Sequence, residues 1–524
     1  MLNIINLTRN DNYHKQQNIV KFVSFVMHMG IVAKQSIYNS IASYIGIIIG
    51  AINTIVLFPN IFSPDEFGLT RVINAAAVLG STLFLFGIPS TTLKFFPFFR
   101  DRAKKHNGFL FLLLTLPLIG YILFIILSYL FKESIISYYS DESPLFGDYF
   151  SYILILTFYM VYLNVFDVYL RSLYKTVIGN FLQNTLLRFL WMILIVMYYY
   201  GYLNFESFMF YYINLYAFLL LIIVVYTVLI KEFFVFPQFE KFNKKIVKEM
   251  IVFALFIILG ASSGMLSGTI DSLMIGALLK DGLENVAFYS IAMYIGIMIM
   301  VPYRGIVRVA VSIISEAWKE NDIKKIDEIY KQTSLNLMLI GTLLFLGIWL
   351  NADNIFQLLP LEYAEAKYVL LFVCIAKWYD VSTGLNAFIL QFSKFFKLML
   401  YFNVLLIILL IGTNFLLIPK YGIEGAALAT LVSIFIVNTI RLILIKIKMG
   451  VLPFTAKSIY IPIVGTTTYV LVYFIPALES FILDTIIRSF IIVFLFVPPM
   501  YFLKVSDEFN GLIDKTLRII KLKK

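Results

Sequence analysis

The apolar residues of this chain come in long runs, and short polar segments separate them at nearly regular intervals. An α-helix needs about 20 apolar residues to cross the hydrocarbon core of a bilayer. Spans are predicted near residues 37–58, 70–93, 109–131, 149–170, 181–200, 207–230, 250–278, 286–303, 334–350, 367–392, 398–418, 424–440, 459–478 and 485–503. The pattern therefore predicts an all-α polytopic membrane protein with about 14 transmembrane helices.

One glycine-and-polar pattern occurs in both the first and the seventh span. The two copies correspond pair by pair at a separation of 218 positions: Gly46 with Gly264, Gly50 with Gly268, and Asn53 with Asp271. A second echo, Tyr200-Gly201, recurs as Tyr421-Gly422. Six spans lie in each half, so the two halves share one orientation in the membrane. We expect two similar six-helix lobes, followed by two additional spans.

This duplication sets the predicted boundaries along the chain. They are an N-terminal extension at 1–30, an N-lobe at 31–230, a linker at 231–249, a C-lobe at 250–446, spans thirteen and fourteen at 447–503, and a basic tail at 504–524.

The distribution of Lys and Arg along the chain tests this membrane topology. Of the 524 residues, 61% are hydrophobic and only 14% are charged, which is far from the composition of a soluble domain. If the N-terminus is cytoplasmic and the spans alternate, the inside segments hold 34 of the 42 Lys and Arg residues. This positive-inside bias predicts that both termini are cytoplasmic. It also accounts for the net charge of +11, so we expect membrane lipids and not nucleic acid as the partner of the basic residues.

Two cations inside the predicted spans are candidates for substrate binding. Arg188 lies in span five and Lys377 near the middle of span ten. A charge at the centre of a membrane helix costs about 2.5–3.5 kcal/mol, so such groups face protein or water. They could bind an anionic substrate such as a diphosphate. Alternatively, Arg188 forms an ion pair with a neighbouring helix, and Asp380, three residues from Lys377, neutralises that lysine.

Asp271 and its counterpart Asn53 have two open interpretations. Asp271 could bind a coupling proton or cation, or line the cavity with Asn53 and Asp380. It could instead accept hydrogen bonds from adjacent helices, a structural role that the amide of Asn53 would fill equally well.

Glycines and prolines within the spans are candidates for close helix packing or for bending during transport. The small-xxx-small spacing favours close packing, and proline removes a helical hydrogen bond. The hinge candidates are Gly46, Gly50, Gly264, Gly268, Pro89 and Pro302.

The sequence carries no sign of an enzyme. The single cysteine, Cys374, lies in an apolar run, and His14, His28 and His106 all lie outside the spans. The stretch from Gly260 to Gly264 matches a G-x-S-x-G motif but lies in a predicted helix, without the preceding strand that this motif requires. We therefore predict no catalytic residues, no cofactor and no metal site.

Several short motifs resemble the polysaccharide transporter, or O-antigen flippase, family of the MATE-like (MOP) superfamily. They occur in the same order over most of the chain from about residue 30. They are the lead Gly30–Ser40, the turn Ser63-Pro-Asp-Glu-Phe-Gly68, the run Asp271–Gly276 leading to Phe288-Tyr289-Ser290, and the segment Tyr421–Thr430. The resemblance implies two six-helix lobes around a central cavity that opens alternately to either face.

The resemblance also implies a function. Its substrate would be an undecaprenyl-diphosphate-linked oligosaccharide, flipped across the bacterial cytoplasmic membrane, with cavity cations such as Arg188 and Lys377 holding the diphosphate. Polysaccharide polymerase and glycosyltransferases would be partners. The alternatives are a lipid II flippase and a cation-coupled small-molecule exporter of the same fold. A membrane glycosyltransferase or polymerase is disfavoured because the outside loops are short.

Overall fold

The structure, a computed structural model, describes residues 31–140, 144–238, 242–260 and 263–519, and most of these residues are helical. Within them, ten helices are long and apolar enough to cross a membrane, and a bent pair from Leu361–Ser382 to Asn386–Phe392 makes an eleventh. The all-α multi-pass architecture predicted from the apolar runs is confirmed. The predicted extension at 1–30 lies outside the described residues.

The N-terminal lobe carries the first six spans. Its helices are α1 (Ile31–Ala51, continued by Ile52–Leu57 and Phe58–Ile61), α2 (Pro64–Phe84), α3 (Ile88–Phe99), α4 (Phe109–Leu130), α5 (Lys132–Ser140), α6 (Pro144–Ser172), α7 (Thr176–Tyr199) and α8 (Phe205–Leu229). The Ser63–Gly68 turn begins α2 as a capping box. The Ser63 hydroxyl accepts a hydrogen bond from the Glu66 amide, and the Glu66 carboxylate accepts one from the Ser63 amide.

The second span differs from its prediction at 70–93. Helix α2 begins earlier, at Pro64, and ends before Phe86 and Gly87, which both have positive φ. Helix α3 then begins at Ile88, with Pro89 in its first turn. A proline in the first turn loses no helical hydrogen bond, so the break comes from the left-handed residues before it.

The C-terminal lobe carries the next six spans. Its helices are α9 (Lys244–Gly260), α10 (Ser263–Leu278), α11 (Gly282–Gly296), α12 (Val301–Lys319), α13 (Ile323–Trp349), α14 (Ala352–Phe356), α15 (Lys367–Ser382), α16 (Asn386–Phe392) and α17 (Leu398–Met449). The span predicted at 250–278 is helical on both sides of residues 261–262, which lie outside the described residues, and α9 begins six residues inside the predicted linker.

Helix α17 contains two spans joined at Gly422. At 1.5 Å per residue its 52 residues would extend about 78 Å, far beyond the roughly 30 Å of a hydrocarbon core. Gly422 has φ 59° and ψ −142°, and the Thr413 and Ser433 hydroxyls on either side of it are 3.2 Å apart. The two halves therefore fold back as a hairpin. Gly201, the counterpart of Gly422 in the duplication, also has positive φ.

Three helices follow the second lobe: α18 (Tyr460–Tyr473), α19 (Phe481–Phe502) and α20 (Asp507–Ile519). We call these three helices the appendix. The buried ion pair Asp484–Arg488 of α19, with 2.5 Å between the charged atoms, holds it in place. Asp484 also accepts a hydrogen bond from Asn354 of α14, and Arg488 donates to the Ile475 carbonyl. Arg488, which the sequence places in span fourteen, thus has a structural partner.

The two lobes pack against each other tightly at one end of the molecule. Helices α2 and α11 meet there, and a Cβ on Gly68 would overlap the Leu283 carbonyl. The Asn60 side chain donates to the Leu358 carbonyl at 3.3 Å. This end is closed, and we call the opposite end, where the lobes leave a cavity, the open end.

Candidate functional site

A cavity of about 1470 Å³ lies between the lobes at the open end. The ends of α3, α9, α15, α16 and α17 surround it. Its polar lining consists of Lys94, Lys245, Lys248, Glu249, Tyr303, Lys377, Asp380, Gln391, Lys397, Asn403, Asn438 and Arg441. Lys94, Lys245, Lys248 and Lys397 belong to segments that the charge pattern assigns to the cytoplasmic side.

The lining is strongly cationic. Six of its side chains are basic and two, Glu249 and Asp380, are acidic. A low-dielectric cleft lined by one sign of charge concentrates ligands of the opposite sign. The cavity can therefore attract an anion.

Lys377 lies in the cavity wall on α15, and its side chain is buried. No Asp or Glu oxygen of the described residues lies within 4 Å of its ammonium group. Asp380 instead accepts a hydrogen bond from the Asn438 amide at 2.8 Å. The sequence offered Asp380 as the neutralising partner of Lys377, but the two do not form an ion pair in this structure.

Arg441 of α17 is a second buried cation in the same wall, and sequence reasoning missed it. It donates to the side-chain oxygens of Asn438, at 3.3 Å, and of Asn403, at 3.2 Å. Its Nε is buried and has no hydrogen-bond partner among the residues that the structure describes. Arg441 directly follows the span predicted at 424–440, so the charge pattern places it among the cytoplasmic loop cations. Arg441 lies three residues after Asn438, so both lie on one face of the helix, and this spacing was the available sequence signal.

Arg188 does not line this cavity. It lies in α7 where α1 and α11 meet, and its Nη1 donates to the Gly46 carbonyl at 2.6 Å. No described Asp or Glu oxygen lies within 4 Å of it. The structure thus separates the two cations that the sequence assigned to one cavity. Within the described part of the chain, Arg188 also forms no ion pair with a neighbouring helix, which was the alternative interpretation.

Asp271 is fully buried and joins three helices of the C-lobe. Its carboxylate accepts hydrogen bonds from Tyr289 of α11 and from Asn414 and Thr430 of α17, each at 2.6 Å. Three donors satisfy much of the hydrogen-bonding capacity of a carboxylate. Its counterpart Asn53 binds differently, because the Asn53 amide donates to the Arg188 carbonyl at 2.7 Å and its oxygen has no partner.

The glycines of the first span lie at close helix contacts. A Cβ on Gly46 would overlap the Asn184 carbonyl of α7, and one on Gly50 would meet Tyr294 and Arg188. In the second copy, a Cβ on Gly268 would be 3.0 Å from the flexible end of Met293. The side-chain surroundings of Gly264 lie outside the description.

Pro302 lies in the first turn of α12, as Pro89 does in α3. Pro89 begins a new helix after the break at Phe86 and Gly87, whereas Pro302 lies within the continuous helical span Gly282–Val307. A hinge role for these prolines and glycines stays a prediction.

The fold is shared with solved structures of membrane transporters. The solved structure of lipid II flippase MurJ, in an inward closed conformation, has a TM-score of 0.70 with this chain, at 15% identity over 89% of this chain and 99% of MurJ. An inward-facing multidrug resistance MATE transporter has a TM-score of 0.57, at 15% identity over 79% of this chain and 94% of its own. A mutant of the Vibrio cholerae MATE transporter VcmN has a TM-score of 0.52, at 12% identity over 79% of this chain and 96% of its own.

Sequence comparison then identifies the family. Residues 32–318, more than half of the chain, match the family model described as polysaccharide biosynthesis protein. This chain belongs to that family, and the resemblance drawn from its short motifs is confirmed at this level. No curated protein matches the sequence closely enough to add a more specific relative.

Proposed function

We propose that this protein flips an undecaprenyl-diphosphate-linked oligosaccharide, a polysaccharide or O-antigen repeat unit, across the bacterial cytoplasmic membrane by alternating access. The observation that carries the proposal is Lys377, a buried cation in the cavity wall with no described carboxylate within 4 Å. A diphosphate would supply a negative charge in direct contact with this ammonium group. Arg441, with its unpaired Nε, adds a donor to the same wall.

The size and chemistry of the cavity support a saccharide headgroup. Pockets for drug-sized ligands occupy about 300–1,000 Å³, and this cavity is about 1470 Å³. Gln391 presents an exposed amide that can bind a sugar hydroxyl. The prenyl chain would stay in the lipid while the headgroup crosses. No covalent bond changes in this process, so no catalytic residue is needed.

Other substrates of the same fold are alternatives. A lipid II flippase would need the same diphosphate chemistry, and the likeness to MurJ keeps this alternative open. A MATE-type exporter of small cations fits less well, because six basic side chains in the cavity would repel a cation. The polymerase and glycosyltransferases that would handle the same lipid are proposed partners.

Transport by the purified protein in vesicles tests this proposal. The probe is a fluorescent undecaprenyl-diphosphate-linked oligosaccharide, scored by how fast its sugar becomes accessible in the opposite leaflet. Lys377→Gln removes a charged contact worth about 1.5–3 kcal/mol, so the rate should fall about 10- to 100-fold. Lys367→Gln is the matched control, since Lys367 lies on the same helix but pairs with Asp353 at 2.5 Å.

The control should transport at the unsubstituted rate. Unchanged transport by Lys377→Gln would remove this residue from the site. No transport of any diphosphate-linked saccharide by the unsubstituted protein would refute the proposed function.

A coupling role for Asp271 also stays a prediction. Its three hydrogen bonds give it a structural role that needs no ion. Transport that continues after ionophores collapse the proton and sodium gradients would exclude coupling.

A further inference from the structure

The segment that connects the two lobes lies against the N-lobe near the open end. Residues 231–238, which we call the strap, follow α8 and are not helical. The Glu232 carboxylate binds Arg102 Nε at 3.1 Å and His106 Nε2 at 2.8 Å. The Glu232 carbonyl accepts a hydrogen bond from the buried Tyr169 side chain of α6 at 2.8 Å. Three N-lobe side chains therefore hold one residue of the strap.

Both ring nitrogens of His106 take part in this attachment. Its Nδ1 accepts a hydrogen bond from the Asp101 amide at 3.2 Å, so the proton of the neutral ring lies on Nε2, which donates to Glu232. The His106 side chain is buried. The imidazole thus joins the loop after α3 to the strap without needing a charge.

The loop that carries this histidine has a strained backbone. Four consecutive residues, Lys105–Gly108, have φ between 50° and 72°, a region that is unfavourable for L side chains. Such strain persists only where surrounding contacts fix it. Here the Asn107 side chain donates to the Phe99 carbonyl at 2.9 Å. A Cβ on Gly108 would lie 2.5 Å from the Gln238 amide nitrogen, so the strap passes directly against this turn.

Aromatic contacts continue the attachment towards the C-lobe. Phe233 of the strap stacks on Phe166 of α6, with the ring centroids 6.3 Å apart. Further along, Phe242 stacks on Phe99 of α3, with the centroids 4.4 Å apart. The connecting segment is therefore fixed to the N-lobe both where it leaves α8 and immediately before α9.

A single residue, Asn243, separates this attachment from α9. Helix α9 begins at Lys244, and Asn243 caps it by accepting a hydrogen bond from the Ile246 amide at 2.9 Å. On the same side of the cavity, the Lys94 ammonium of α3 lies 3.9 Å from the Phe253 ring of α9. A change in the angle between the lobes must be taken up at Asn243, because the N-lobe holds the residue before it and α9 includes the residue after it.

We propose that the strap is a fixed part of the N-lobe and that the lobes turn about Asn243 during transport. The proposal rests on the alternating access of the proposed function and adds the point of rotation to it. Hinges are commonly a few residues at the ends of elements, which absorb a change in φ and ψ. A pivot on one side of the cavity lets the open end widen and narrow on its other side.

Spin labels test the attachment of the strap without any substrate. The labels replace two exposed residues of the full-length protein, Pro237 of the strap and Tyr202 at the other end of the N-lobe. We expect a narrow distribution of distances between them. Glu232→Ala removes the carboxylate that the N-lobe side chains bind and should widen the distribution. Lys104→Ala, at an exposed neighbour in the same loop, is the control and should leave it narrow.

A broad distribution in the labelled protein without further substitution would overturn the attachment. A distribution that Glu232→Ala leaves as narrow as the control would overturn it equally.

Reversible cross-links test the pivot. Lys105→Cys/Phe236→Cys joins the N-lobe to the strap, at two exposed side chains where the Lys105 ammonium lies 4.3 Å from the Phe236 ring. Asn60→Cys/Leu358→Cys joins the two lobes at the closed end, where the Asn60 side chain donates to the Leu358 carbonyl. The native thiol of Cys374 is buried, so a bifunctional thiol reagent reaches the introduced pairs.

The two cross-links should affect transport differently. With the diphosphate-linked saccharide probe in vesicles, the closed-end cross-link should lower the rate at least about tenfold, because it holds the lobes together. The cross-link between the N-lobe and the strap should keep the rate within about twofold, because these two parts move as one. Reduction of the closed-end cross-link should restore transport.

The outcomes separate this proposal from the proposed function. If the unsubstituted protein transports the probe, a strap cross-link that stops transport as completely as the closed-end cross-link, and that reduction reverses, overturns the pivot. Transport that continues through the closed-end cross-link would refute alternating access, and the pivot with it. If the unsubstituted protein does not transport the probe, the proposed function fails, and the spin-label distances alone decide whether the strap belongs to the N-lobe.

Discussion

The charged residues inside the membrane divide into those with protein partners and those without. Asp271, Asp484 and Arg488 each form several hydrogen bonds or ion pairs with other residues. Protein groups therefore stabilise their charges. Lys377 and Arg188 have no described carboxylate within 4 Å. This difference separates candidate ligand-binding residues from structural ones, because a cation without a close carboxylate partner has hydrogen-bond donors left for a ligand.

Substitution of Asp271 tests whether a buried charge with several protein partners has a structural role. Asp271→Asn keeps the shape of the side chain but offers a single acceptor oxygen to Tyr289, Asn414 and Thr430. We expect a loss of about 1–3 kcal/mol in stability, measured as a lower apparent melting temperature in detergent. Asp353→Asn, at an exposed pair, is the control. A variant with unchanged stability would favour an ion-coupling role for Asp271 over a structural one.

At the scale of helices, the sequence predicts where spans lie but not how they break. Apolar runs fix the spans because the bilayer demands a certain length. Breaks depend on local backbone conformation, and here Phe86, a residue with no turn preference, takes positive φ. Gly422 was visible as half of a repeated Tyr-Gly pair, so the hairpin of α17 carried a sequence signal. Gly87 and Pro89 marked the region of the break after α2, but nothing in the sequence indicated that Phe86 itself would take positive φ.

The ion pair Asp484–Arg488 is predicted to hold α19 against the second lobe. Arg488→Met leaves the Asp484 carboxylate buried between α14 and α19, which costs about 3–5 kcal/mol and should release the appendix. The double variant Asp484→Leu/Arg488→Met should be clearly more stable than Arg488→Met. Thermal unfolding of both variants measures this, and equal stability of the two would show that the pair does not act as a unit.

At the scale of the whole molecule, the duplication predicts two lobes; the fold is like those of the solved MurJ and MATE structures, and the lobe boundaries stay a prediction. The duplication does not predict which end of the molecule is open, because the sequence is the same in every conformational state of a transporter. For the same reason the sequence placed Arg188 and Lys377 in one cavity. In this structure Lys377 lines the cavity at the open end and Arg188 does not. Arg441 was missed because a cation at the end of a span has the same pattern whether it faces a cavity or solvent.

The closed end yields a conformational prediction. In Gly68→Ala the new Cβ would overlap the Leu283 carbonyl, so α2 and α11 must move apart. Spin labels at the exposed residues Tyr202 and Leu361, one on each lobe at this end, should report a longer distance. Gly347→Ala, at a glycine with open space around it, should leave the distance unchanged. An unchanged distance in Gly68→Ala would show that this contact does not hold the lobes together.

The central claim is that a buried, cationic cavity between two lobes binds a diphosphate headgroup. The most direct measurement is a cryo-electron microscopy map of the full-length protein with a bound undecaprenyl-diphosphate-linked oligosaccharide. We expect phosphate density within about 3 Å of the Lys377 ammonium or the Arg441 guanidinium at the open end. A diphosphate bound elsewhere, with the polar wall around Lys377 and Arg441 free of it, would contradict this account.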